Sequence, residues 1–310
     1  MATLSVKRKR NSLEKRENAI AFLFILIPIV GFCIFTIGSM IFTFIFSFTQ
    51  LNALTGEIKP LKDGIFGNYK TLFTSLTHAK YFTGAIKNTL ILLLSIPISM
   101  MLGLVTAGLL RLGQIRGAKV YQILYYVPTV SSAVALNIVW RYIFNDEFGI
   151  INSVLNLDIH WLGGGTGNGG YLRSAIIIKN SINGVGSAMI MYLAGMLNIP
   201  KDYYEAADID GASRVKQFFS ITLPLITPMT FYLLITGLIG GLQSYADSEV
   251  FAAGSTEAQT IVHFIWARGI GGNARTGYGI ASAASILLAL TIMIITVIQF
   301  KFSDKWVYEE

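Results

Sequence analysis

The chain carries a short, densely charged segment between two long apolar runs. Within about sixteen residues it places four carboxylates and three cations: Asp202, Glu205, Asp208, Asp210, Lys201, Arg214 and Lys216. Carboxylates on a short helix can form charge-assisted hydrogen bonds with basic groups of another molecule. An amphipathic loop lying on lipid headgroups is the less favourable interpretation, because an anionic leaflet repels acids. The segment therefore predicts a docking site for a protein partner.

The order of residues in this segment, which we call the cassette (residues 199–228), predicts two short helices joined by a bend. Pro200 ends the preceding helix. Asp202 is expected to cap the first cassette helix, and Glu205, three residues later, completes a capping-box-like pair. Gly211 then stops this helix, because glycine adopts the left-handed conformation at low cost.

The cassette resembles the EAA loop of binding-protein-dependent ABC importer permeases. That pattern is Glu-Ala-Ala, three residues, Gly, nine residues, Ile-x-Leu-Pro. The matching residues, together with one aspartate assigned to the same coupling role, are Glu205, Ala206, Ala207, Asp210, Gly211, Ile221, Leu223 and Pro224. The version "YYEAADIDGAS" is most similar to the carbohydrate branch, as are residues 138–155 and 278–290. The usual outer-loop "GGP" after the fifth span is replaced here by "AAGSTEAQT".

The resemblance implies that this chain is one membrane subunit of an ABC carbohydrate importer. Its implied partners are a second homologous permease, a cytoplasmic ATPase dimer and an extracytoplasmic sugar-binding protein. The cassette would be a coupling helix in a cleft of the ATPase, with Glu205 forming a salt bridge to a basic residue there. The ATPase would bind ATP and Mg, so this chain is expected to be no enzyme and to hold no cofactor. The substrate is expected to be a carbohydrate, in particular an oligosaccharide.

The resemblance also points to residues of the substrate path. In the similar larger membrane subunit of the maltose transporter, sugar contacts come from the span before the EAA loop and from the end of the span after it. The corresponding residues here are Asn183, Gly184 and Ser187, then Gly241, Gln243 and Ser244. The alternative is that these small and polar residues only pack helices together, as small residues do in membranes.

The composition requires a membrane to hold these segments. Hydrophobic residues make up 53% of the 310 residues and charged residues 13%, whereas soluble domains carry about a quarter charged residues. Long uncharged runs can cross a bilayer as helices of about 20 residues, and they lack the alternation of barrel strands. The predicted fold class is an all-α membrane protein with six transmembrane helices and the cassette between the fourth and fifth. The predicted spans are residues 20–47, 88–110, 120–140, 175–197, 219–243 and 279–300.

Basic residues predict the orientation of these spans. "KRKR" at 7–10 argues for a cytoplasmic N-terminus, and the loop 111–119 and the cassette then lie on the same side. The density of Lys and Arg on that side is roughly three times the density on the other. We expect a basic cytoplasmic N-terminus (1–18), an importer transmembrane domain (19–303) and a cytoplasmic tail (304–310). The chain would be a multi-pass protein of the bacterial cytoplasmic membrane.

Several other chemistries are disfavoured. His78, His160 and His263 fall in separate predicted outer loops without the spacing of metal ligands, so no metal site is expected. The glycine-rich stretch 163–170 lacks the Lys-Ser/Thr of a phosphate-binding loop and is expected to be a flexible outer loop. The net charge of +7 is assigned to anchoring at the inner leaflet, not to nucleic acid. Lys179 is expected to extend from the outer end of its span to the interface.

Two alternatives to a carbohydrate importer stay open at this point. The first is an ABC permease for another solute, such as a phosphodiester of glycerol. The second is a membrane scaffold or sensor that uses the same fold without moving a ligand. A transporter needs a polar path between its spans, whereas a scaffold would tolerate apolar replacements of Asn183 and Gln243.

Overall fold

The structure is a computed structural model that describes residues 12–52, 55–61, 64–112, 117–163, 169–271 and 277–308. These residues are mostly helical, as predicted. The helices are α1 Ser12–Gly31, α2 Gly38–Ser47, α3 Gly67–Thr74, α4 Leu76–Leu92, α5 Ser95–Leu112, α6 Ala118–Val130, α7 Ala133–Ile143, α8 Ile150–Leu155, α9 Gly169–Asn198, α10 Lys201–Ile209, α11 Arg214–Gln217, α12 Leu223–Leu225, α13 Thr227–Leu242, α14 Ile261–Gly269 and α15 Tyr278–Ser303.

Within the described ranges, three helical segments are long and apolar enough to cross a membrane: Ile20–Ser47, Leu76–Arg111 and Tyr278–Ser303. Three bent pairs of helices raise the number to as many as six if each pair is one span. The first segment runs through α1, a π-helical turn (Phe32–Ile37) and α2, and none of its most apolar window is buried inside the chain.

The third predicted span, 120–140, is not one straight helix. It consists of α6 and α7, which meet at 105°. Pro128 lies inside α6 and lacks the N–H needed to continue the helical ladder. Ser131 and Ser132 then adopt extended ψ values of 155° and 126°. The absence of charged residues between 120 and 140 identified this apolar stretch. It does not distinguish a straight helix from a bent pair.

The fourth and fifth spans also differ from their predicted outlines. The fourth, α9, is one helix of 30 residues that begins at Gly169, well before residue 175. In the fifth, residues Arg214–Leu225 and Thr227–Leu242 are inclined by 59°. The break falls at Ile226, whose ψ of 6° ends the first part.

A small antiparallel hairpin interrupts the otherwise helical fold. Strand β1 (Thr49–Asn52) pairs with β2 (Glu57–Pro60) directly after the first span. The all-α prediction did not include this hairpin. Asn68 fixes it to α3, because its side-chain amide donates to the carbonyls of Ser47 and Thr49 at 2.9 and 3.0 Å.

Small residues allow close packing of the central helices. A Cβ atom added to Gly103 of α5 would lie 2.5 Å from the Cβ of Ala188 on α9. One added to Gly186 of α9 would lie 2.0 Å from the carbonyl oxygen of Tyr125 on α6. Close approach through small residues is how membrane helices gain packing energy. Helix α9 is therefore the centre against which α5 and α6 are placed.

The segments predicted to share one side of the membrane meet at one end of the molecule, here called the cassette end. Arg111, at the end of α5, lines a cavity together with Lys201 and Arg214 of the cassette. The backbone N–H of Tyr308 donates to Thr227 at 2.9 Å, so the tail also reaches the cassette. The hairpin and Asn68 lie against Gly279 at the start of α15, whereas the end of this 26-residue helix leads to Tyr308 at the cassette end. We call the position of the hairpin the opposite end.

Candidate coupling segment and translocation path

The cassette forms the two short helices expected from its sequence, but its first cap differs. Helix α10 begins at Lys201 with Pro200 as its N-cap, and no side chain caps it. The prediction that Asp202 caps this helix is therefore wrong. Asp202 lies in the first turn, where its negative charge still interacts favourably with the helix dipole. Ser213 caps the second helix, α11, by accepting from the N–H of Lys216 at 3.3 Å.

The bend between the two helices is a left-handed turn at Gly211, whose φ is 70°. The N–H of Gly211 donates to the carbonyl of Asp208 at 3.1 Å, and that of Ala212 donates to Ala207 at 2.9 Å. This pair of hydrogen bonds is a Schellman motif, which satisfies the last carbonyls of a helix. The predicted positive φ at Gly211 is confirmed, and Asp210 occupies the C-cap position.

Side chains hold the two cassette helices to each other and to the bundle. Gln217 is 2% exposed, and its Nε2 donates to Asp208 Oδ1 and to the carbonyl of Ala212. The hydroxyls of Tyr204 and Thr222 lie 2.8 Å apart. These bonds cross from α10 to the segment that leads into α13. The first cassette helix is thus attached by side chains to the segment that follows the turn.

The motif residues divide between the surface and the attachment. Glu205 and Ala206 are exposed and Ala207 is half-buried. Ile221 packs against the buried cluster at the cassette end, Leu223 is half-buried, and Pro224 is exposed at the start of α12. The Glu-Ala-Ala part of the motif is thus mainly exposed, whereas Ile221 in its second part packs against the bundle.

The outer face of the cassette carries unpartnered groups. Glu205 forms no ion pair with any other residue of the described ranges. Ile209 is 87% exposed and Val215 is 65% exposed. Exposed apolar side chains such as these are typical of a surface that binds another protein.

On α9, the predicted path residues have three different surroundings. Asn183 Oδ1 accepts a hydrogen bond of 3.0 Å from the indole N–H of Trp140. Gly184 packs against α5, since a Cβ there would lie 2.8 Å from the Cβ of Ser99. The hydroxyl of Ser187 donates to the carbonyl of Gly184 in its own helix at 3.0 Å. Their contact with substrate stays a prediction.

The second set lies at the end of α13. A Cβ on Gly241 would lie 2.7 Å from Leu93 Cδ2, so this glycine permits close packing. Gln243 is exposed directly after the helix. The hydroxyl of Ser244 donates to Asp247 Oδ2 at 2.9 Å. Of this set, Gln243 has the most exposed side chain, and its contact with substrate stays a prediction.

Lys179 does not extend to an interface, so that prediction is wrong. It lies ten residues inside α9, about 15 Å from the helix start, and it is 2% exposed. Its ammonium group forms a salt bridge with Asp247 and donates to Asn137 Oδ1. It also lies 5.4 Å from the ring centroid of Phe251. The partners are 42 and 68 residues away in sequence, so residue spacing gave no signal for them.

Asp247, which follows the fifth span, is held by three donors. Besides Lys179, it accepts from Asn180 Nδ2 at 2.7 Å and from the Ser244 hydroxyl at 2.9 Å. Burial by itself would raise the pKa of this carboxyl, but the Lys179 charge and the hydrogen bonds together lower it. Asp247 is thus held as a carboxylate, and its charge cancels that of Lys179.

Two of the three histidines are placed differently from the prediction, whereas His160 lies in a loop as expected. His78 lies on α4 and His263 on α14, not in loops. His263 is 4% exposed and lies 2.8 Å from Glu249 Oε2. No group of three or more His, Cys, Asp or Glu side chains that could hold a metal ion occurs in the described ranges. Most of the glycine-rich stretch, residues 164–168, lies outside these ranges.

Comparisons with known proteins agree with the architecture. The chain is 31% identical over 313 residues to a probable ABC transporter permease protein (YesP) of Bacillus subtilis, covering 97% of this chain and 96% of that one. It is 29% identical over 300 residues to the arabinooligosaccharides transport system permease protein (AraP) of the same organism, covering 94% and 90%. It is 29% identical over 243 residues to the sn-glycerol-3-phosphate transport system permease protein (UgpA) of Yersinia enterocolitica, covering 75% and 79%.

Among solved structures, the fold is similar to a chain of a bacterial alginate ABC transporter in complex with an alginate pentasaccharide-bound periplasmic protein. The TM-score is 0.75 at 23% identity, with 95% of this chain and 97% of that chain covered. A family profile matches residues 18–307, nearly the whole chain. The chain belongs to the family of binding-protein-dependent transport system inner membrane components.

Proposed function

We propose that the chain is the membrane-spanning subunit of an ATP-driven importer and forms the translocation path for a carbohydrate, in particular an oligosaccharide. The observation that carries this proposal is the cassette. Glu205, which forms no ion pair with another described residue, lies on a helix that Tyr204 and Gln217 attach to the bundle. Such a segment can receive force from a docked ATPase and pass it to the spans. The family and the named relatives support the same function.

The proposed topology has six spans, with the EAA loop between the fourth and fifth and both termini in the cytoplasm. The three straight segments and three bent pairs support this count. The meeting of Arg111, the cassette and Tyr308 at one end supports a shared side. Reporter fusions after Gln50 and Glu310 should report outside and inside, respectively. Matching signals from both positions would rule this topology out.

The proposed partners are a second homologous permease, a cytoplasmic ATPase dimer that binds ATP and Mg, and an extracytoplasmic binding protein that delivers the substrate. Purified alone, this chain should not hydrolyse ATP. In proteoliposomes with its partners, it should support hydrolysis that the loaded binding protein stimulates. Persistent hydrolysis by the rigorously purified single chain would contradict this division of labour.

Transport of a glycerol phosphate or phosphodiester is the second candidate, because one relative is an sn-glycerol-3-phosphate permease. An anionic substrate is normally met by an unpaired cation. Lys179, the buried lysine next to the predicted path, is instead neutralised by Asp247. This favours an uncharged carbohydrate over a phosphate ester.

Uptake by proteoliposomes distinguishes the candidates. Arabino-oligosaccharides, alginate oligosaccharides and sn-glycerol-3-phosphate should be offered in parallel, each with the binding protein encoded for this system. ATP-dependent uptake of either oligosaccharide supports the proposal, and uptake of the acidic alginate oligosaccharide alone would contradict the expectation of an uncharged substrate. Uptake restricted to the phosphate ester would favour the second candidate. A complex that binds an oligosaccharide without moving any of the three would indicate a scaffold or sensor.

A further inference from the structure

We propose that Lys179 and Asp247 are positioning residues that hold the wall of the translocation path closed at the end opposite the cassette, and that the pair must separate when the path opens there. This inference rests on the proposed function. It concerns two residues that form a salt bridge with each other, and it assigns neither of them to substrate binding.

The first argument is where the network connects the chain. Asn137 belongs to α7, Lys179 to α9, and Asp247 to the turn that follows α13. Their hydrogen bonds and salt bridge therefore join three segments that are distant in sequence. Separation of any one segment from the others requires these bonds to break.

The second argument is the relation to the predicted path. Asn183 lies one helical turn from Lys179 on α9, and Trp140 lies three residues from Asn137 on α7. The hydrogen bond between Trp140 and Asn183 therefore joins α7 to α9 one helical turn away from the bond between Asn137 and Lys179. On the other side, Ser244 reaches Asp247 directly. Ser244 of the second set therefore belongs to the network, and Asn183 of the first set lies one helical turn from it.

The third argument is energetic. Lys179 is 2% exposed and Asp247 is 8% exposed, and burying two such charges costs several kcal/mol per ion before they attract each other. Well-packed apolar residues of similar volume often stabilise a protein as well or better. Stability alone is therefore a weak reason for the pair. A salt bridge with fixed partners is either formed or broken, which suits an element with two discrete arrangements.

The experiment measures ATP hydrolysis by the complete importer in proteoliposomes, with ATP and Mg alone and then with the binding protein loaded with an oligosaccharide that the parent transports. Lys179→Met and Asp247→Asn each leave one charge unpaired. We expect each to raise receptor-independent hydrolysis at least fivefold and to reduce further stimulation. The exchanged pair Lys179→Asp with Asp247→Lys should return hydrolysis toward the parent value.

Milder and matched variants keep the test decisive if a charge variant fails to fold. Asn180→Ala removes one hydrogen bond to Asp247 and should give a smaller rise, about twofold. Lys87→Met removes an exposed lysine of α4 and should leave both rates unchanged. If Asn180→Ala and every folded charge variant keep the receptor dependence of the parent, the inference is wrong. A parent complex without any receptor stimulation would instead overturn the proposed function.

Discussion

The buried amide of Gln217 bonds to the exposed carboxylate of Asp208 across the turn at Gly211. The same Nε2 donates to the carbonyl of Ala212 at 3.1 Å. One side chain thus fixes the angle between the two cassette helices. Because α10 has only nine residues and α11 only four, we expect this bond, and not the length of either helix, to make the cassette move as one unit.

Removing the acceptor should loosen this unit. Asp208→Ala deletes the oxygen that accepts from Gln217 and should cost about 1 kcal/mol locally. Asp208→Asn keeps an acceptor oxygen at the same place and serves as the control. Hydrogen exchange of the backbone amides in α10 and α11 should be faster in the alanine variant. Equal exchange in the two variants would show that the bond does not fix the cassette.

Valine at residue 211 should damage the turn itself. The φ of 70° is rarely adopted by β-branched residues, and strain of this kind costs about 1–3 kcal/mol. Nothing lies within 4 Å of a Cβ added to Gly211, so the effect is conformational and not steric. Gly211→Val should reach the membrane at normal levels but lose most sugar uptake and receptor-stimulated hydrolysis.

Asparagine is the matched replacement for this glycine, because it tolerates the left-handed conformation better than other residues. Gly211→Asn should therefore retain most uptake. Leu109→Val, a conservative change on an exposed side of α5, should have no effect. If Gly211→Val transports sugar at nearly the parental rate, the left-handed turn is not required for transport.

Reversal of charge at Glu205 should act without changing the fold. Glu205 is exposed and forms no ion pair within the described ranges, but it lines a cavity with Arg111, Lys201 and Arg214. The level of the Glu205→Lys protein in the membrane should therefore be compared with that of the parent. The substitution would place a positive charge against the basic group expected in the ATPase cleft. Copurification of the ATPase should fall at least tenfold. Asp304→Lys makes the same charge change at the same end, outside the cassette, and should leave copurification intact.

Substitution of Gly184 distinguishes a residue that packs α9 against α5 from one that contacts substrate. An alanine Cβ there would lie 2.8 Å from the Cβ of Ser99, so Gly184→Ala should lower the level of folded protein. Ser99→Gly removes the opposing atom and should partly restore it. Gly84→Ala, where nothing lies within 4 Å, is the control. A normal protein level with a raised KM for uptake would instead indicate substrate contact.

The sequence predicted those features that depend on neighbours along the chain. Uninterrupted apolar runs predicted the mostly helical fold, and the Asp210-Gly211 pair predicted the turn with φ of 70°. The 105° break after Val130 was missed, because an uncharged run looks the same whether straight or bent. The salt bridge of Lys179 was missed because Asp247 is 68 residues away, and only the folded bundle brings the two together.

The first span makes the chain sensitive to the thickness of its membrane. The segment Ile20–Ser47 has 28 residues, which corresponds to about 42 Å of helix at 1.5 Å per residue. A typical hydrocarbon core is about 30 Å thick, so the helix must tilt or extend beyond it. None of its most apolar window is buried by the rest of the chain, but its second half, α2, packs against α15. We therefore expect α1, the first half, to take up most of this hydrophobic mismatch. Bilayers of short-chain and long-chain lipids should therefore change the tilt of this helix and leave the buried helix α9 in place.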